Sequence, residues 1–191
     1  KCYATGNVTG TTYTGGFTGK CDSNASITRC FATGSVSGTT YAGGFTGYTG
    51  NSEGSDSHTI TIANCYARGN VSGTNYAGGF SGYTICDNFG TATLTVNITD
   101  CYSTGIISGT AGNKTGFGYY TTSGSNTTIT VTDCFYNSTT AGGLPDDYAI
   151  GKSTSQMKLQ ATYTGWDFSN VWNIDTKNNG YPYLKDNPPL N

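Results

Sequence analysis

Seven cysteines, a single histidine and two regularly placed aspartates are the residues of this 191-residue chain whose types invite chemistry. Cys2, Cys30, Cys65, Cys101 and Cys134 each open a similar segment, and a buried thiol at such a repeated position serves as a small apolar residue. Cys21 and Cys86 stand outside that series. They are candidates for a disulfide or, because the total is odd, for bonds to another chain. No spacing resembles a zinc site, which needs CxxC pairs or histidine partners. His58 is the only histidine, which excludes an H-E-x-x-H site, and NSEGSDSHTI around it has no nucleophile elbow. Asp100 and Asp133 precede Cys101 and Cys134 and should lie one repeat apart, as weak Ca2+ ligands or as turn formers bonded to their own backbone. These residues predict a chain that is not an enzyme and carries no cofactor. Asn7, Asn24, Asn70, Asn97, Asn113, Asn126 and Asn137 each head an N-x-S/T triplet, so the exterior is open to N-glycosylation where the machinery exists.

Repetition is what positions these residues. CYATGNVTGTTYTGGFTG from Cys2 returns as CFATGSVSGTTYAGGFTG from Cys30 and as CYARGNVSGTNYAGGFSG from Cys65. It returns again as CYSTGIISGTAGNKTGFG from Cys101, with a degenerate start, CFYNSTTAGGL, at Cys134. Growth follows GGF, so the variable loops 48–58, 84–93 and 120–128 leave from one corner. HTITIAN, TLTVNITD and TTITVTD alternate polar with aliphatic residues, the period of a half-buried strand. Three short strands per unit are expected, with Phe17, Phe45, Phe80 and Phe117 on the third. Val8, Val36, Val71 and Ile107 form a second inward column beside the Cys column. Stacked about 4.8 Å apart, these columns predict an all-β, right-handed parallel β-helix (β-solenoid) of about 4–5 coils. Leu, Ile, Val and Phe supply only 29 of 191 residues, against 29 Gly and 35 Thr, which suits thin ladders better than a bulky core.

The rhythm stops near residue 142, dividing the chain into repeats (1–141) and a C-terminal capping segment (142–191). Ser153 with Gln156 forms a capping box that predicts one short helix through Met157 to Gln160. Trp166, Phe168, Val171, Trp172, Ile174, Tyr181, Tyr183 and Leu184 are the large side chains expected to cover the last coil. The first coil opens directly at Lys1, and another copy or a longer parent chain is expected to cover it.

GGFTG and GGFSG behind a CYATGNVSG-type segment resemble the GLUG repeat, with Phe in place of Leu and Thr or Ser in place of the following Val. KSTSQMKLQATYTGWDFSNVWNIDTKNNGYPYL resembles the segment that closes such arrays, so the resemblance spans about residues 1–185. GLUG arrays occur in large bacterial and archaeal surface proteins, in adhesin-like proteins and in non-catalytic parts of immunoglobulin-cleaving metalloproteases. The resemblance implies a surface-exposed β-solenoid of adhesive or structural role. The formal charge of −2, without a basic patch or a long apolar run, gives no expectation of nucleic acid or membrane insertion. The expected partners are a host or neighbouring-cell glycan or protein ligand, met through exposed Tyr48, Tyr83, Tyr119 and Tyr120. The alternative is further copies stacked head to tail in a filament or sheath. The expected location is extracellular, at the cell surface.

Overall fold

A computed structural model describes residues 1–51, 56–87, 92–110, 112–124 and 126–189 and is all-β, with parallel strands stacked in five sheets. The first sheet takes Tyr3–Ala4, Phe31–Ala32, Tyr66–Ala67, Tyr102–Ser103 and Phe135–Asn137, and Ile150–Lys152 adds a sixth strand. Val8–Gly10, Val36–Gly38, Val71–Gly73 and Ile107–Ser108 make the second; Tyr13–Gly15, Tyr41–Gly43, Tyr76–Gly78 and Asn113–Thr115 make the third. The fourth holds Thr18–Cys21, Thr46–Asn51, Ser81–Asp87 and Gly118–Ser123, and the fifth Ala25–Thr28, His58–Ala63, Leu94–Thr99 and Thr127–Thr132. Successive repeats therefore lie side by side in a solenoid-like arrangement, in matched register. Val8 faces Val36, Val36 faces Val71, and Val71 faces Ile107.

Each repeat yields five strands where three were expected. The Gly-rich stretches that read as corners also pair, because parallel neighbours of identical sequence satisfy their backbone groups whatever their side chains. Phe17, Phe45, Phe80 and Phe117 fall in the turn between the third and fourth sheets, not in a strand. Their rings still stack, 4.7 to 4.8 Å between centroids, and the last three are fully buried. The Phe45 carbonyl accepts the N–H groups of Phe17 and Thr18, at 2.9 and 3.1 Å, and the carbonyls of Phe80 and Phe117 repeat that double acceptance one layer on.

After Phe117 the next acceptor is a side chain. Asp146 Oδ2 receives the N–H groups of Phe117 and Gly118, both at 2.8 Å, while its Oδ1 receives Tyr148 and Ala149. A carboxylate so stands where the carbonyl of a further repeat would be. Burial pushes its pKa above the usual carboxylate range against the pull of four backbone N–H donors.

The segment expected to plug the last coil lies elsewhere. The residue after each column cysteine is aromatic, and Phe31, Tyr66, Tyr102 and Phe135 point outward from the first sheet as a buried stack. Met157, Tyr163, Trp166, Val171, Trp172, Tyr181 and Leu184 cover that stack, with Phe168 and Ile174 packed at the edge. Tyr183 is buried beside them, and its strand Tyr183–Leu184 pairs antiparallel with Trp172–Asn173. The C-terminal segment is thus a strap along the flank, because the larger apolar surface needing cover is the aromatic column. It returns to the first repeat, where Asp186 pairs with Lys1 at 2.8 Å and Arg29 at 2.9 Å, and Asn187 Nδ2 donates to the Cys2 carbonyl at 3.0 Å.

The Ser153–Gln156 box forms reciprocally: Ser153 N–H donates to Gln156 Oε1 at 2.9 Å and Gln156 N–H to Ser153 Oγ at 3.3 Å. It opens not one helix but two 3-10 turns, Gln156–Lys158 and Gln160–Thr162, since Leu159 between them is extended.

One glycine column permits the close stacking. A Cβ at Gly69 would lie 1.8 Å from the Gly34 carbonyl oxygen, whereas one at Gly6 would meet nothing within 4 Å. Gly69→Ala is accordingly expected to destabilise the chain by about 3 kcal/mol or more, and Gly6→Ala by less than about 1 kcal/mol. Urea denaturation of the two variants checks this; equal losses would contradict the stacking.

Candidate functional site

Arg29, Asn64, Asp100 and Asp133 occupy one corner position, each immediately before a column cysteine and each with a positive φ of 50 to 55°. Asn and Asp tolerate that left-handed conformation best, which accounts for three of the four without a metal. Burial and the neighbouring Asp133 carboxylate raise the Asp100 pKa. Among the described residues no three His, Cys, Asp or Glu side chains group as metal ligands. The strap reads these corners: Trp172 Nε1 donates to Asn64 Oδ1 at 3.0 Å and Trp166 Nε1 to the Asp133 carbonyl at 2.9 Å.

The column cysteines Cys30, Cys65, Cys101 and Cys134 are buried and Cys2 is exposed. Cys21 and Cys86 are buried too and do not pair. The strand Thr46–Asn51 runs between theirs, which sets them two strand spacings apart, beyond disulfide reach. Burial pushes the Cys21 thiol up to about 11 and the Cys86 thiol up to about 12, so neither is primed for an interchain bond.

Asn7, Asn24, Asn70 and Asn126 are exposed, and Asn97 and Asn113 are half-buried within sheets. Asn7, Asn24 and Asn70 each use Oδ1 to accept a backbone N–H of the next layer, at 2.8 to 3.0 Å. Asn137 is corrected as a glycosylation acceptor. It is 1% exposed, and its Nδ2 donates to Thr154 and Tyr181, both at 2.9 Å.

The tyrosines expected at loop tips are corrected as well. Tyr48 is buried, and Tyr83, Tyr119 and Tyr120 are half-buried in strands. Tyr48, Tyr83 and Tyr119 interleave with Tyr13, Tyr41 and Tyr76 of the neighbouring sheet, so the rings cover one another. The loops themselves lie partly outside the described residues. His58 begins a strand, and its ring bonds no Ser, Cys or carboxylate among the described residues.

An incompletely satisfied polar cluster sits where the strap crosses the early repeats. Arg68, at the end of Tyr66–Ala67, sends Nη1 to the carbonyl of Asn178 at 3.0 Å and to its side-chain oxygen. Its guanidinium carbon lies 4.8 Å from the Tyr181 ring centroid. Asn178, Asn179 and Gly180 are consecutively left-handed, at φ 51, 54 and 82°. Asn178 Nδ2 pins this turn by donating to the Tyr102 hydroxyl at 3.0 Å and the Pro182 carbonyl at 2.8 Å. Beside it opens a cleft of about 410 Å³ lined by Thr5, Phe31, Thr33, Arg68, Lys177 and Asn179, among others, with no carboxylate. Arg68 Nε and the Tyr66 hydroxyl, both solvent-inaccessible, have no hydrogen-bond partner among the described residues. Sequence reasoning passed over all of these; the only signal was the aromatic residue following each column cysteine, too large to leave uncovered.

No protein-family model matches the chain, and no curated protein matches it. Among solved structures it is similar to a candidate immunoglobulin A1 protease from Bacteroides ovatus, with a TM-score of 0.64 and 23% identity over 96% of this chain. The chain spans 56% of that protein's chain. At this identity the likeness shows the fold. It also corrects the expectation that the chain is not an enzyme: a candidate protease carries the same architecture, so missing motifs in the repeats do not exclude an enzyme.

Two expectations follow from this geometry. A folded-state pKa above the unfolded one gives stability present at low pH and lost as pH rises through the folded value. Asp100→Asn removes that loss and keeps a side chain suited to the corner, as at Asn64; at pH 7 it should gain about 0.5 kcal/mol after solvent screening. A lowered urea midpoint for this variant in Ca2+-free buffer would contradict it. Thiol titration of the native chain should register one fast group, Cys2, and seven after denaturation.

Proposed function

We propose that this chain is a binding module displayed by a larger extracellular, adhesin-like surface protein. In this reading it is a right-handed GLUG-type β-solenoid of about 4–5 coils, the right hand being the default for parallel crossovers. The observation that carries the reading is the outward face of the fifth sheet, whose positions Thr59, Thr61, Thr95, Asn97, Thr128 and Thr130 are uncharged and hydrogen-bonding. That is a surface chemistry matched to a glycan or a neutral protein face.

Deleting residues 1–191 from the parent protein tests the reading. Attachment of the source cells to host or neighbouring-cell surfaces should fall several-fold, with surface labelling of the remaining protein unchanged. Unaltered attachment, or labelling by an antibody against this module only after permeabilisation, would overturn it.

A further inference from the structure

The outward face of the fifth sheet is a repeating lattice of hydroxyls. Thr59, Thr95 and Thr128 stand side by side in register, as do Thr61, Asn97 and Thr130, with Ser26 ahead of Thr61. Within each column the step is one strand spacing, about 4.8 Å, and the two columns run about 6.7 Å apart. Thr59, Thr128 and Thr130 are exposed and Thr61, Thr95 and Asn97 half-buried, so all six reach solvent. Among the described residues, none of these five threonine hydroxyls makes a hydrogen bond. Strand propensity alone does not select threonine here, since the third sheet fills its outward column with Tyr13, Tyr41 and Tyr76.

Charge and spacing restrict what such a face can meet. No Asp, Glu, Lys or Arg lies within the four strands of this sheet, and the carboxylates of Asp100 and Asp133 directly follow its third and fourth strands. Arg29, after the first strand, is already paired with Asp186 at 2.9 Å. The face therefore complements an uncharged partner and disfavours an anionic one. An extended peptide advances about 3.4 Å per residue and falls out of step with layers about 4.8 Å apart. Sugar rings in an extended β-1,4-linked chain advance by nearly one layer each and carry hydroxyls on both edges. A cleft of about 350 Å³, lined by Asn24, Ser26, Thr59 and Thr61 among others, opens at the first two strands.

We propose that the trough between the two columns binds a linear, uncharged β-1,4-linked polysaccharide laid along the stack, one sugar ring to each layer. Threonine hydroxyls and the Asn97 amide bond the ring hydroxyls from the two sides, and the threonine methyls contact the rings. The inference rests on the binding-module reading and gives that module its ligand class. Four layers set the site at four rings, about 14 Å from the first to the fourth.

Titrating cellotetraose, mannotetraose and xylotetraose into the 191-residue chain, produced without N-glycosylation and followed by amide NMR shifts, tests it. At least one tetramer should bind saturably, with shifts at Thr59, Thr61, Thr95 and Asn97. It should bind at least about 10-fold tighter than its dimer, which loses half of the contacts. The anionic β-1,4-linked tetramannuronate should bind at least about 10-fold more weakly than that tetramer. Thr61→Val keeps the branched shape and the strand preference while removing one hydroxyl. It should weaken binding about 3-fold or more without lowering the urea midpoint, whereas Ser37→Ala, on the second sheet, should leave binding unchanged.

Absence of saturable binding by all three tetramers, equal affinity for tetramer and dimer, or tetramannuronate binding as tightly as the best neutral tetramer would each overturn the proposal. So would native affinity in Thr61→Val. Loss of attachment without oligosaccharide binding would assign the face to a neutral protein and overturn the trough alone. Oligosaccharide binding with unaltered attachment would instead remove the wider reading alone.

Discussion

Everything in this structure depends on one main-chain carbonyl per repeat accepting two N–H groups from the repeat before it. Phe45, Phe80 and Phe117 provide it in turn, each holding a Gly-Phe turn that has no strand partner of its own. Such a turn, buried with the phenylalanine stack, cannot leave donors unpaired, so every layer demands a successor. The series ends where a side chain imitates that successor. Asp146 gives Phe117 and Gly118 one oxygen and turns its other oxygen on its own loop, which ends the repeats without a further strand in this sheet.

The second constraint is lateral. A repeat that places cysteine inward places its next residue outward, and here that residue is Tyr or Phe in every unit. The aromatic column buries its rings against the strap, and tryptophans from the strap bond the left-handed corners that turn the chain into the cysteine column. Inner core, corner and strap are thereby coupled, since displacing Trp172 would expose Tyr66 and strip the Asn64 side chain of its donor.

Much of the architecture was legible because the offsets recur: Val36 meets Val71 and Phe45 meets Phe80 as spacing alone dictates. The extra strands were not, since glycine-rich strands carry no side-chain alternation to read. The strap's position was misread because a list of large residues shows that something is covered without showing what. The outward parity of Phe31, Tyr66, Tyr102 and Phe135 is the pattern that points to the flank. Asp146 and Arg68 gave no local signal at all. One acts through a carboxylate 29 residues beyond Phe117, the other through a turn 110 residues away.

The return of the strap to Lys1 and Arg29 also bears on how the fold comes apart. One continuous segment bonds the Asp133 corner, the Asn64 corner, and Cys2 and Arg29, and so touches late, middle and early repeats at once. A stack held only by nearest neighbours can fray from either end. Repeats that share one clamp lose their aromatic cover together, which couples their unfolding into a single cooperative unit.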